Sequence, residues 1–256
     1  VQNTDASTDE TPARRDIAET FAAGAWSFTP DVVNEFDVHV RASVPFYDAI
    51  QDLVAGLSDW LVPHGGLIAD LGASTGTTVG SILRRQAHRD VSAVLYDVEK
   101  PMLDRAAENL ATAPARHIDY VRAPIQSPPL AHTDADLTLC LFTLQFLPLR
   151  DRVAALHLAR MSARETGALI VAEKVRPLDS RWHEISTDSS HDWKAEHGIS
   201  ADGIRAKSRA LRGVLVPHPQ DTLIHSIRAA GWHDPEILFR WHQWTVIGAF
   251  ATRCGL

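Results

Sequence analysis

Leu67-Ile68-Ala69-Asp70-Leu71-Gly72-Ala73-Ser74-Thr75-Gly76 joins a short apolar run to a glycine-rich turn, and Thr75 to His88 then reads as a helix. Glycine lets the chain turn tightly and lets a ligand approach the backbone. The helix start behind it offers N–H groups with no partner inside the helix. Val91 to Tyr96 is a second strand. Asp97 ends it, about 20 residues past the turn, where an acid can bond both hydroxyls of a ribose. The turn is not G-x-G-x-x-G, because Ser74 replaces the second glycine and only Gly76 follows. A pyrophosphate would need closer backbone approach and would be repelled by Asp70. An adenosine ligand without phosphates fits better, and Asp70 can accept from an ammonium.

Outward from the turn, strands and helices alternate. Met102 to Leu110 is helical, Ile118 to Val121 a weaker third strand and Leu137 to Leu141 an uninterrupted fourth. Arg150 to Met161 is a helix and Gly167 to Val171 a fifth strand. Continuous apolar strands between helices predict a parallel sheet covered on both faces, an α/β fold. After Lys174 the pattern changes. Ser180 to Gly213 is polar and helical, and His218 to Ala230 is a helix closed by Gly231. Glu236–Trp241 and Trp244–Ala251 are strands with a tight connection, predicted to pair antiparallel. Upstream, Thr29-Pro30 starts a helix with a hydroxyl cap and Pro at the first position. Pro45 interrupts the pattern, and Phe46, Ile50, Leu53, Leu57 and Leu61 restart it. Val1 to Ala25 reads as a loosely held arm with one short helix at Ile17 to Phe21. The expected organisation is an arm over 1–28 and a single domain over 29–256, with lid helices at 29–62 and a helical insert at 178–213.

The 256 residues carry Lys+Arg 25 against Asp+Glu 32, a formal net charge of -7. That balance disfavours sequence-independent binding of nucleic acid, which needs a basic surface. Hydrophobic residues at 45% and charged residues at 22% are ordinary for a globular chain and exclude a mostly disordered one. Cys140 and Cys254 are expected to be free thiols in a reducing compartment. No apolar run approaches the ~20 residues that span a bilayer, and Val1 to Arg15 has no apolar signal core. The expected location is therefore the cytoplasm. The 13 histidines are scattered, so no metal site is expected.

Three strings sharpen the reading. They are Ser43-Val44-Pro45-Phe46-Tyr47; Phe142-Thr143-Leu144-Gln145-Phe146-Leu147 with Glu173-Lys174; and His191-Asp192-Trp193-Lys194. The strand order resembles the class I S-adenosylmethionine (SAM)-dependent methyltransferase fold, Rossmann-like and mostly parallel with an antiparallel last strand. The strings resemble the carboxy-S-adenosylmethionine synthase family, which makes the carboxymethyl donor for wobble-uridine modification. The similarity runs from about Trp26 to the C-terminus. It implies SAM as the cofactor and a homodimer, with no nucleic acid or membrane partner. It also implies that Tyr47 caps SAM, that Gly72, Ala73 and Ser74 lie under its methionine part, that Asp97 and Val98 hold the ribose and that Ile125 lines the adenine. Asp70, Gly76, Leu141 and Phe142 complete the expected cofactor site. Three positions depart from the family. Pro124 replaces an Asp near the adenine amine, and Leu141 replaces an Asn by the methionine part. The carboxylate-binding Arg falls on Ser208, unless the register shifts onto the neighbouring Arg209, or onto Arg205.

A bidentate Arg clamps a carboxylate strongly and Ser does so weakly. The expected activity is therefore methyl transfer from SAM to a small-molecule acceptor. The alternatives are carboxy-SAM synthesis from SAM and prephenate, closure of a small ring within SAM with loss of methylthioadenosine, and a non-catalytic SAM-binding module. Tyr47, Glu173, His191 and Ser208 are the catalytic candidates. Glu173 is placed at the ligand crevice beyond the fifth strand, and His191, with Asp192 beside it, is a second base. His242 is a weaker one. Trp193, Trp241 and Trp244 are candidate π faces for a cation, and Lys207, Arg209 and Arg212 a candidate pocket for an acidic acceptor.

Overall fold

In the computed structural model, residues 21–127 and 134–253 are described. Seven strands form one sheet: β1 (Leu67–Leu71), β2 (Ser92–Asp97), β3 (His117–Arg122), β4 (Ala135–Leu141), β5 (Ala163–Lys174), β6 (His233–Trp241) and β7 (Trp244–Phe250). Their order is β3-β2-β1-β4-β5-β7-β6. Pairing is parallel from β3 to β5, and β7 runs antiparallel to both β5 and β6. This is the doubly wound sheet with a reversed strand that the sequence predicts. β5 begins before the expected Gly167, with Ala135 pairing Ala163 across a bulge.

Alternation along each strand sends neighbours to opposite faces. Ile68, Leu95, Leu139 and Ile170 pack under α2 (Tyr47–Leu61), α3 (Thr77–Arg85) and α4 (Lys100–Asn109). Ala69, Val94, Cys140 and Val171 pack under α5 (Leu149–Ser162) and α8 (Gln220–Ala229). Each fully buried Leu or Ile contributes about 1.5–3 kcal/mol. Both faces are thus covered, which is why these strands read as unbroken apolar runs.

The two elements outside this frame form the roof of the site. α1 (Pro30–Ser43) starts as expected, with Thr29 Oγ1 accepting from Val32 N at 3.4 Å. The insert is α6 (Ser180–Glu196) and α7 (Ala201–Ala210), capped by Asp179 and Ser200. Trp26, Val32 and Ala210 join α1 and α7 in a small apolar cluster of their own. The short helix expected at Ile17 to Phe21 lies outside the described residues except for Phe21, whose ring meets Trp26 at 5.1 Å. Cys254 also lies outside them, while Cys140 is a buried free thiol. Among the described residues, no helix is long and apolar enough to cross a membrane.

Candidate active site

A cavity of about 1020 Å³ opens at the C-terminal ends of β1, β2, β4 and β5. Its nucleoside end is made by the glycine-rich turn. Gly72 has φ +84°, and a Cβ there would stand 2.3 Å from Thr143 Oγ1, so only glycine fits. Asp97 is fixed beside the turn: its carboxylate accepts from Ser74 N and Glu99 N, both at 2.9 Å. Burial raises its pKa, and the amides of Glu99, Ser74 and Val98 pull it back. Asp70 is buried, and burial together with the Asp97 charge pushes it up to about 7. Ile125 and Val98 line the same end. Two non-glycine residues on this wall, Ser74 (φ 52°) and Phe142 (φ 58°), hold left-handed backbone. Such conformations cost about 1–3 kcal/mol each and cluster at ligand sites.

Tyr47 enters from α2 and lies tilted against Phe142, ring centres 6.2 Å apart. Burial, then the Asp37 charge, raise its pKa. Asp37, on α1, ties the roof to the turn by accepting from Thr75 Oγ1 at 2.6 Å and Thr77 Oγ1 at 3.3 Å. On the other side, Lys207 of α7 donates to Ser43 Oγ at 2.9 Å, contacts His39 Nε2 and lies 5.4 Å from the centre of the Trp26 ring. Gly24 N and Trp26 N donate to Arg209 O and Ala210 O. The roof is thus two segments latched to each other.

The opposite end of the cavity is basic. Lys174, Arg176, His183 and Lys194 all line it. Lys174 lies 5.6 Å from the centre of the Trp244 ring. Its ammonium has neither hydrogen bond nor ion pair among the described residues. Burial, then the Lys194 charge, lower its pKa to about 8. Lys194, in the last turn of α6, is buried. His183 Nδ1 has no hydrogen-bond partner among the described residues.

A family model described as a methyltransferase domain matches residues 68–167. A carboxy-S-adenosyl-L-methionine synthase of Methylococcus capsulatus is 31% identical over 229 residues, covering 88% of this chain and 93% of its own. The chain belongs to the carboxy-S-adenosylmethionine synthase family. A second member, the synthase of Staphylococcus epidermidis, is 29% identical over 227 residues, covering 87% of this chain and 95% of its own. Among solved structures, human N-acetylserotonin methyltransferase in complex with SAM superposes with TM-score 0.60 at 15% identity over 87% of this chain. This chain spans 56% of that longer protein, and the likeness is one of fold. The family member described here is a SAM-dependent transferase of the class I fold. Its glycine-rich end fits SAM: Gly72, kept without a side chain by its positive φ and by Thr143, leaves backbone at the cavity wall, and the Asp97 carboxylate is held in place beside it.

Within this family frame, the expected site residues sort by position. Tyr47, Asp70, Gly72, Ala73, Ser74, Asp97, Val98, Ile125, Leu141, Phe142 and Ser208 line the cavity. Gly76 does not: it starts α3, where a Cβ would meet Leu110 at 3.0 Å. Glu173 does not face the cavity either. It is 2% exposed and lies under the 3-10 turn Leu144–Phe146. Burial pushes it up to about 8, against the opposing pull of Arg152 and the amides of Leu144, Gln145 and Thr143. The reason is strand parity. Lys174 pairs with Trp244 and turns to the cavity, and Glu173, pairing with Thr245, turns away. His191 sits beside the basic end but outside the lining, its pKa lowered by burial and by Lys194 and Lys174. Trp193 lies tilted against Phe46 at 4.6 Å and Trp241 meets it edge-on at 5.6 Å, and only Trp244 of the three tryptophans lines the cavity. His242 lies in the β6–β7 connection, outside it. Arg212 and Lys207 line the cavity while Arg209 and Arg205 do not. Residue-by-residue reading missed His183, Lys174 and Asp37; the Glu173-Lys174 and His191-Asp192-Trp193-Lys194 strings were the signal that could have found the lysines. Among the described residues, no three His, Cys, Asp or Glu side chains gather as metal ligands would.

Proposed function

We propose that this chain transfers the methyl group of SAM to a small acceptor that carries a carboxylate or similar anion. The observation that carries the reading is Lys174. It is a largely buried ammonium, unpaired among the described residues, facing the same cavity as the buried Lys194. Burying the Lys174 cation without a counter-charge is unfavourable unless a ligand supplies the anion. When bound, SAM supplies a methyl on a sulfonium that carries its own leaving group, so the protein's task is alignment. Lys174 and Lys194 hold the acceptor's anion. Tyr47 and Phe142 close the wall at the methyl, and the latched roof excludes water. A nucleophile that carries a proton needs a base. His183, which lines the cavity, is the group of the basic end suited to accept it.

A second reading, carboxy-SAM synthesis from SAM and prephenate, is supported by the two relatives, which are carboxy-SAM synthases, and by the same cations. It is weakened by Ser208 at the cavity, where the resemblance implies an Arg, with Arg209 and Arg205 outside the lining. Product analysis decides. The protein is incubated with SAM and a panel of small carboxylic acids, prephenate included. The methyl-transfer reading expects S-adenosylhomocysteine in step with a methylated acid. Carboxy-SAM that depends on prephenate would replace it with the second reading. Methylthioadenosine formed from SAM alone would replace both with ring closure, and no product with any acid would leave a binding module.

A further inference from the structure

Lys174 pairs with Trp244 across β5 and β7, and directly opposed residues send their side chains to the same face of a sheet. The ammonium lies 5.6 Å from the centre of the Trp244 ring. Phe142 meets Trp244 edge-on at 5.8 Å, and Phe142 lies tilted against Tyr47 at 6.2 Å. All four side chains line the cavity. The residue after Phe142 is Thr143, whose Oγ1 stands 3.5 Å from the carbonyl oxygen of Gly72. A row of three rings therefore runs from the Lys174 cation toward the glycine-rich turn.

This row has little to offer a polar ligand body. The indole nitrogen of Trp244 is buried. The Tyr47 hydroxyl is hydrogen-bonded with Thr77. Phe142 has no polar side-chain atom, is half-buried and holds left-handed backbone, φ 58°. A bulky residue in that region is strained, and such strain persists where a ligand site holds it. Hydroxyls or a second charge set against this wall would lose water and gain no partner. An aromatic ring gains instead. Ring faces are negative and ring edges positive, so a further ring adds edge-to-face or offset contacts that a saturated ring does not.

We propose that the acceptor is an aromatic monocarboxylic acid whose carboxylate pairs with Lys174 and whose ring lies against Trp244 and Phe142. The edge of the ring remote from the carboxylate then points toward the glycine-rich turn. The inference rests on the reading of Lys174 as the anion site and adds to it the chemical class of the acceptor.

The test is titration calorimetry on the chain saturated with S-adenosylhomocysteine. Four probes are compared: benzoate, cyclohexanecarboxylate, succinate and benzyl alcohol. Benzoate is expected to bind about 3–10-fold more tightly than cyclohexanecarboxylate, and more tightly than succinate by a similar factor or more. Phe142→Leu and Trp244→Leu are each expected to narrow the gap between the two ring acids to about twofold or less. The comparison on the native chain stands without either variant. Equal affinity for benzoate and cyclohexanecarboxylate overturns the proposal, and so does succinate bound as tightly as benzoate. A gap between the ring acids that survives in both variants overturns it too, because the preference would then arise elsewhere. Benzoate held no better than benzyl alcohol overturns the reading of Lys174 as the anion site, a result separate from the ring preference.

Discussion

At the nucleoside end of the cavity the groups that matter lie between Asp70 and Asp97. They are positioned by β1, the turn, α3 and β2, and the backbone amides of Ser74 and Glu99 fix the carboxylate. At the basic end Lys174 comes from β5, His183 and Lys194 come from α6, and the roof is closed by residues near both ends of the described chain. The first region is written in a short stretch with little freedom to vary. The second is assembled from distant pieces, each of which can change without disturbing the sheet. A family can therefore keep its donor and alter its second reactant.

The comparison breaks most sharply at Gly72. Gly72→Ala forces a Cβ into Thr143 and a left-handed φ on alanine. We expect SAM binding to be abolished and stability to fall by about 2 kcal/mol or more, read by calorimetry and thermal melting. Normal SAM affinity in this variant would show that the turn is not the donor cradle. Lys174→Met strikes the other region alone. KM for the acidic acceptor is expected to rise roughly 10–100-fold, with SAM affinity within about twofold of native. If both ligands weakened together, the two ends would not be separable. Asp97→Asn makes the reciprocal test, with SAM weaker by about tenfold and the acceptor's KM little changed at saturating SAM.

A pH series sharpens the same contrast. Lys174, held near 8, loses its charge as pH rises through that value, so acceptor affinity should fall there while SAM affinity does not follow the same curve. The smallest effect concerns Glu173. Its folded pKa is raised to about 8, above its ordinary value near 4.5. Between these two values the folded carboxyl keeps a proton that the unfolded chain releases. Stability is therefore expected to decline as pH rises through that window. Glu173→Gln removes that contribution, leaving Asp70's, and should raise Tm at pH 8 relative to native by about 2–4 °C for each ~1 kcal/mol relieved. At pH 5 the two proteins should melt alike, and a difference of the same size at both pH values would point to packing instead.

The sheet was legible because its signals are local. Apolar runs, a glycine-rich turn and an acid at fixed spacing need no knowledge of distant contacts. Thr29 and Gly231 marked helix ends for the same reason. The basic end was only partly legible. Lys174 and Lys194 stand on different elements, and nothing in their separation says that they meet. Glu173 was assigned to the crevice because it ends a strand, whereas one residue of parity exchanges it with Lys174. Gln51 follows Ile50 in a helix whose apolar spacing makes a polar residue read as solvated, and only packing shows it to be buried. Gly76 shows the converse: a glycine in the same string lies outside the cavity lining and packs against Leu110.

The latch between the roof segments has a further consequence, in time rather than in space. Lys207 and Ser43 are 164 residues apart in sequence, and the Gly24 and Trp26 amides reach farther still, to Arg209 and Ala210. Contacts closing so long a stretch of chain carry a large loop-closure entropy and reward folding late. The amides of Gly24 and Trp26 should therefore exchange with solvent deuterium much faster than those of β1 and β4, and a bound acceptor should slow them. The opening that admits the reactants would then be a sub-global unfolding of the roof, with its frequency set by the stability of this one latch.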